Sequence, residues 1–327
     1  MVASKLLPML DGIAHANRRW IAKAITLVES SKVTDSALSD ELLTEILPHT
    51  GSALRIGISG IPGVGKSTFI EEFGRLLLKN GKKIGVLAVD PSSPVSGGSI
   101  MGDKTRMEKL AADENVFIRP SPAGDNLGGV ARKTRESSLI LDAAGYDIIL
   151  IETVGVGQSE VVVASLVDVF LVLQMPSTGD ELQSIKKGIL EVADIIAINK
   201  ADGDLKPYAM GAVSNHKKAL NLIKTHKSWI PPVLACSAIE RTGLGEIWQG
   251  VCDFVDYMKR ENLFDERRHQ QTVSWFDNEI GSLFLDLIKH DRKKRDLLNL
   301  YRKKVLNYEV PPTVGARQVL NLLLSAD

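Results

Sequence analysis

The sequence predicts an α/β fold, a mainly parallel sheet covered by helices on both faces, and three observations carry that prediction. Between residues 51 and 258, seven short apolar runs alternate with helical patterns: 54–59, 84–89, 116–119, 147–151, 167–174, 194–198 and 232–237. These runs are near-continuous in Val, Ile and Leu, as strands buried on both faces must be. Outside that stretch, residues 1–50 and everything from 259 onward show helical spacing and no strand signal.

Taken in order, residues 1–50 form an N-terminal helical arm. Trp20, Ile21, Ala24, Ile25 and Val28 make an apolar stripe, and a second helix is expected over roughly 35–47. In the first strand Leu54, Ile56 and Ile58 alternate with Arg55, Gly57 and Ser59. A glycine-rich turn follows, and then Phe69, Ile70, Phe73, Leu76 and Leu77 recur at helical spacing up to a C-capping Gly81. The remaining runs and helices up to 258 complete the central domain. Residues 259–327 form a C-terminal helical arm with two stripes. Trp275, Phe276, Ile280, Leu283, Phe284, Leu287 and Ile288 make the first, and Leu297 to Leu306 the second.

The turn after the first strand narrows the fold. From Gly60, through Gly63, Val64, Gly65, Lys66, Ser67 and Thr68, the spacing is Gly, four residues, Gly-Lys-Ser. This is a phosphate-cradling P-loop in its required strand–loop–helix context. The predicted architecture is therefore a three-layer P-loop NTPase fold flanked by N- and C-terminal helical extensions. Glycines let successive backbone N–H groups face one concavity, and the helix that follows directs its positive end there. Lys66 is expected to reach the β- and γ-phosphates of a nucleotide, and the Ser67 hydroxyl to ligate Mg²⁺.

Ligands in such sheets sit at the carboxyl ends of the strands. The second run ends at Asp90, before a long polar loop containing Asp103, and both aspartates are candidates for a metal shell that senses the γ-phosphate. The fourth run ends in Glu152-Thr153-Val154-Gly155, a carboxylate for a water-bridged Mg²⁺ contact and an N–H for the γ-phosphate. GTPases of the Ras type place a water-orienting Gln directly after that glycine. Here the position holds Val156, with Gln158 two residues on, so slow intrinsic hydrolysis open to acceleration by a partner is expected. After the sixth run comes Asn199-Lys200-Ala201-Asp202. A carboxylate at Asp202 can accept from the N1–H and exocyclic amine of guanine, a donor pair adenine lacks. Asn199 can bond O6 or tie neighbouring loops, and the Lys200 stem can cover the base. Ser237-Ala238 closes the last run and can offer a backbone N–H to O6. GTP and GDP are the expected ligands.

Composition frames what remains. Lys plus Arg equals Asp plus Glu at 40 each, so no bulk charge points to nucleic acid or an anionic membrane. The basic run Lys289 to Lys304 is interrupted by Asp291 and Asp296 and interleaved with leucines, as a solvated helix face is. The two cysteines, Cys236 and Cys252, form no C-x-x-C and read as buried thiols of a cytoplasmic protein. No apolar run approaches the length of a transmembrane helix, and Asp11 interrupts any leader.

The set of motifs resembles the MeaB/ArgK/MMAA family, metallochaperone-type GTPases in which Glu replaces the usual Asp of D-x-x-G. It comprises residues 60–68, Val-Asp-Pro-Ser-Ser (89–93), 97–107, Arg-Pro-Ser-Pro (119–122), 152–160, 179–188 and Asn-Lys-Ala-Asp (199–202), within a resemblance over about residues 15–260. It implies a chaperone for an adenosylcobalamin-dependent acyl-CoA mutase, typically methylmalonyl-CoA mutase, gating cofactor delivery and protecting the mutase. It also implies that Lys66, Ser67 and Thr68 hold phosphate and Mg²⁺, that Asp90, Asp103 and Glu152 form the metal and switch shell, and that family members pair as homodimers through the C-terminal arm. Asp180, Glu181, Gln183, Lys186 and Lys187 fall in an additional switch that would couple nucleotide state to the mutase. With no D-x-H-x-x-G motif, the cobalamin is expected on the partner. Two other readings stay open: insertion of a metal centre into another client, and transport or signalling of the arginine/ornithine type. The C-terminal tail packing on its own G domain is the alternative to dimerisation.

Overall fold

The computed structural model describes residues 3–30, 32–89, 107–121, 127–153, 159–176, 192–222 and 229–324. All seven apolar runs become strands: β1 (Leu54–Gly60), β2 (Ile84–Val89), β3 (Val116–Ser121), β4 (Ile148–Thr153), β5 (Val169–Gln174), β6 (Ile195–Ile198) and β7 (Val233–Ala235). They form one parallel sheet in the order β3-β2-β4-β1-β5-β6-β7. The chain leaves β1 for β2 on one side, and crosses from β4 to β5 on the other. The carboxyl end of β1 is thus the topological switch point where such sheets bind ligands.

Side chains alternate between two cores because the strand period is two. Ile149 and Ile151 of β4 face a core shared with α2 (Arg18–Val28), α3 (Val33–Ile46), α6 (Leu127–Ala143) and α8 (Lys206–Leu222). Their neighbours Ile148 and Leu150 face the opposite core, with α4 (Lys66–Lys79), α5 (Glu108–Ala111) and α9 (Leu244–Arg260). The short α7 (Ser159–Ala164) leads from β4 to β5. β4 runs two residues beyond the expected end, so Glu152 lies within the sheet, opposite Ile58 of β1 and Ala88 of β2.

The N-terminal stretch holds one helix more than the sequence pattern revealed. α1 (Ala3–Ala14) buries Leu6, Met9 and Ile13, one helical face, beside α2. Asn17 caps α2, its side-chain oxygen accepting from the N–H groups of Arg19 and Trp20. Ile21, Ala24, Ile25 and Val28 are buried as their spacing predicts, and Trp20 is half-buried. Cys236 is buried and its thiol is pushed up to about 12 by that burial, whereas Cys252 on α9 is only half-buried.

The chain divides into two compact units, Met1–Gln271 and Thr272–Asp327. The first contains the sheet. The second holds the end of α10 (Leu263–His290), with α11 (Arg292–Leu306) and α12 (Pro312–Leu324) packed on one another.

Candidate functional site

The loop after β1 is shaped by close approaches. A Cβ on Gly60 would stand 2.6 Å from the Leu173 carbonyl oxygen in β5. Gly65 has φ +91° at the N-terminus of α4, and a Cβ there would meet Asn199 Nδ2 at 3.0 Å. Side chains at either place would push β5 or the Asn199 loop away. Between them, Gly63 is exposed and Val64 is fully buried, anchoring the loop in the core under α4. Lys66 is also buried, and its Nζ donates to the carbonyls of Gly60 at 2.8 Å and Ile61 at 3.4 Å. The ammonium is therefore held over the loop it would share with phosphate. Ser67 is half-buried on the first turn of α4, and Thr68 is exposed.

Glu152 meets this turn from β4. Ser67 Oγ donates to Glu152 Oε1 at 3.3 Å, and beside them Thr153 Oγ1 donates to Ser59 Oγ at 3.0 Å, tying the ends of β1 and β4. A hydroxyl and a carboxylate at this spacing are hard oxygen donors of the kind Mg²⁺ takes alongside phosphate and water. Among the described residues no group of three His, Cys, Asp or Glu side chains converges as a metal cluster. Asp90, Asp103, Gly155, Val156, Gln158 and the 179–188 segment lie outside the described residues.

At the carboxyl ends of β6 and β7, Asn199 is the centre. Its Nδ2 donates to the Val64 carbonyl at 2.8 Å, and its Oδ1 accepts from the Ala238 N–H at 3.2 Å. Of the two expected uses of Asn199, the structure places it in the second, tying the P-loop to the loop after β7. That loop is a tight hairpin in which Ser237 and Thr242 exchange both backbone bonds, at 3.0 and 3.1 Å. The Ser237 N–H is thereby committed to the hairpin, leaving Ala238 as the residue whose N–H faces the Asn199 loop. The Ser237 hydroxyl donates to Asp202 Oδ2. Lys200 is half-buried with φ +60°, and the Ala201 N–H donates to the Cys236 carbonyl at 2.9 Å. Lys66, Ser67, Glu152, Asn199, Asp202, Ser237 and Ala238 are thus brought to the ends of β1, β4, β6 and β7.

Two groups escaped the sequence pattern. Glu72 on α4 accepts from Arg75 at 3.1 Å and from Arg241 Nε at 2.8 Å. At the other end of the sheet, buried Asp168 accepts from Arg55 and from Arg268, at 2.7 Å from the latter. Burial alone would push the Asp168 carboxyl up, but the bonds from Arg268 and Arg55 more than reverse this and hold it below its ordinary value. Arg135, buried and facing Arg55, is lowered to about 10. A lone aspartate inside the apolar run 167–174 was the available signal for Asp168.

Sheet order, the loop at the switch point and the strand-end residues define a P-loop protein of the α/β class. The profile of the family described as "Methylmalonyl Co-A mutase-associated GTPase MeaB" matches residues 21–293. The chain belongs to that family. It is 45% identical over 311 residues to "GTPase ArgK" of Escherichia coli, covering 94% of this chain and 93% of that protein. It is 43% identical over 329 residues to the mouse "Methylmalonic aciduria type A homolog, mitochondrial", covering 97% of this chain and 78% of the relative. Among solved structures it is similar to that of a "LAO/AO transport system kinase", with a TM-score of 0.78, 37% identity and 98% coverage of both chains.

Proposed function

We propose that this protein binds and hydrolyses GTP and, through the resulting change of state, serves an adenosylcobalamin-dependent acyl-CoA mutase as its chaperone. The observation that carries the nucleotide reading is the Asn199 bridge. One side chain joins the phosphate loop at Val64 to the base loop at Ala238, with Asp202 held beside it by Ser237. That arrangement suits a ligand with phosphates at one end and a guanine at the other. The client is supported by the family description and by the mouse relative's name.

In this mechanism the P-loop N–H groups and the N-terminus of α4 bind the phosphates, and Lys66 exchanges its loop carbonyls for phosphate oxygens. A water attacks the γ-phosphorus, the bond to the β–γ bridging oxygen breaks, and GDP and phosphate leave. Lys66 neutralises the charge that develops on the oxygens. Ser67 and Glu152 would hold Mg²⁺, which when bound supplies further charge neutralisation on those oxygens. Asp90 and Asp103 are proposed to complete that shell, Gly155 and Thr68 to contact phosphate, and Lys200 to cover the base. With Val156 in place of a water-orienting Gln, turnover is proposed to be slow and stimulated by the partner.

Residues 259–327 are proposed as a homodimerisation arm. Val273, Phe276, Ile280 and Leu283 repeat at alternating spacings of three and four and are 52 to 64% exposed within the chain. Among the described residues no helix is long and apolar enough to cross a membrane. A second reading, coupling of nucleotide turnover to transport, is favoured by the similar solved structure, itself called a transport system kinase.

The deciding experiment is GTP turnover with and without apo methylmalonyl-CoA mutase, with ATP as control. Stimulation of GTP but not ATP hydrolysis by the mutase is expected. Intact basal GTP turnover without stimulation would remove the mutase as client, and equal use of ATP would remove the guanine assignment.

A further inference from the structure

We propose that Arg241 is a positioning residue for guanine recognition, holding the base-reading hairpin against the P-loop helix through Glu72. The proposal rests on the guanine-nucleotide reading and concerns how that site keeps its spacing.

The hairpin is a small closed body. Its two backbone bonds between Ser237 and Thr242 bind four intervening residues, and Glu240 N–H donates to Ser237 Oγ at 3.1 Å. A displacement of Arg241 is therefore felt at Ser237 and Ala238, the residues that meet Asp202 and Asn199. Arg241 itself takes φ +59°, a left-handed backbone that an L-residue adopts only when its surroundings hold it there.

Glu72 is what Arg241 reaches for. Arg241 Nε donates to Glu72 Oε2 at 2.8 Å, and the Glu72 side chain is only 10% exposed while that of Arg241 is 55% exposed. Glu72 is fixed from the other side by Arg75, whose Nη1 donates to both carboxylate oxygens at 3.1 Å. It stands six residues beyond Lys66 on the same helix, about 9 Å along its axis. Phe73, next to Glu72, meets Trp248 of α9 edge-on at 6.3 Å, so the helix that follows the hairpin also rests on α4. The carboxylate is thus a fixed point on the element that begins at the phosphates, and Arg241 is the arm from the element that reads the base.

A guanine nucleotide spans these two elements. Asn199 sets their separation from inside, and the Arg241–Glu72 pair sets it from the outer side. If the outer tether is released, the hairpin can swing about Asn199, and Asp202 loses its fixed Ser237 partner. The hydrogen bond from the exocyclic amine of guanine is then the first to break. Phosphate binding, made away from the hairpin by the P-loop and the loop after β4, is spared.

The test compares GDP with inosine diphosphate, which lacks that amine, in direct binding to the full chain. Wild-type protein should prefer GDP. Arg241→Ala should weaken GDP binding about twofold to fivefold, the range a single partly exposed ion pair supports. Inosine diphosphate should be affected less, so that the selectivity ratio shrinks. Glu72→Gln should reproduce the change, Arg241→Lys should restore most of the ratio, and the double variant should be no worse than either single one. In turnover the loss should fall in KM more than in kcat. A lowered melting temperature with an unaltered GDP to inosine diphosphate ratio would reduce Arg241 to a stabilising surface pair and overturn the proposal. Absence of guanine-nucleotide binding by the wild-type protein would instead overturn the reading on which it stands.

Discussion

Asp in place of Asn199 changes one atom that the site depends on. One side-chain oxygen still accepts from the Ala238 N–H, as Oδ1 does at 3.2 Å. The other replaces Nδ2, which donates to the Val64 carbonyl at 2.8 Å, and so sets acceptor against acceptor. Asn199 is 2% exposed, so water cannot repair the broken bond. Losing the bond and orphaning the Val64 carbonyl should cost about 1–3 kcal/mol. Asn199→Ala orphans both Val64 O and Ala238 N, and should cost about 2–6 kcal/mol by the same accounting. Because the bonds join the two halves of the proposed nucleotide site, part of the loss is expected to appear as affinity, with tenfold for each ~1.4 kcal/mol. Urea unfolding of the nucleotide-free protein and titration with a fluorescent GDP separate the two shares. The slope of the unfolding curve should stay constant, showing that stability and not compactness has changed. Asn278→Asp, an exposed site on α10, serves as the control and should stay within about 0.5 kcal/mol of wild type. If Asn199→Asp matched wild type in both midpoint and GDP affinity, the bridge would not be what holds the site.

Three further outcomes are expected. Lys66→Ala should abolish GTP hydrolysis in a single-turnover assay, and wild-type turnover in that variant would remove Lys66 from the phosphate site. Asp202→Asn should move base preference from guanine towards xanthine, measured by competition between GTP and xanthosine triphosphate; an undiminished preference for GTP would count against Asp202 as the base reader. Stability should fall on acidification in two windows. His216 is buried and lowered by burial below its ordinary 6.5, so the unfolded chain takes up the proton first and stability erodes as pH drops below about 6.5. Asp168, held below 3.8, contributes stability that is present above that value and is lost as pH falls through its folded pKa. His216→Phe should flatten only the upper window, and an unchanged profile in that variant would show that another group titrates there.

The sheet was legible because its strands are buried on both faces. A run such as Ile148 to Ile151 has no polar alternation to confuse with an amphipathic helix, and each such run became a strand. The phosphate loop and Asn199–Asp202 stand out for a different reason, since the chemistry proposed for them is confined to a few consecutive residues, and the structure brings both to the carboxyl ends of the strands. What escaped was pairing across distance. Asn199 meets Val64 over 135 positions and Arg241 meets Glu72 over 169, and nothing in the local spacing of either residue announces its partner. Glu72 and Arg75 have the i, i+3 spacing of any helix-surface pair, and the pattern of α4 does not reveal that α9 and its hairpin cover that side. α1 was missed although Leu6, Met9 and Ile13 carry its spacing, since Pro8 and Gly12 dilute the helical signal.

The bonds around the P-loop follow from what such a loop must do. In a loop of this kind most N–H groups are reserved for phosphate; the Val64 N–H donates to the Ile61 carbonyl at 3.3 Å, and the Gly60 and Val64 carbonyls draw on partners from elsewhere. Side chains supply them. Lys66 Nζ serves Gly60 and Ile61, and Asn199 Nδ2 serves Val64. In the proposed mechanism only the first of these is given up when phosphate arrives, since Lys66 is the proposed phosphate ligand whereas Asn199 keeps the proposed base loop in register. Nucleotide binding by this mechanism would exchange two neutral acceptors of Lys66 for charged ones, a change that favours the bound state. Asn199 stays where it is. The proposed mechanism thus has the phosphate end of the site rearrange around one ammonium while the base end remains fixed.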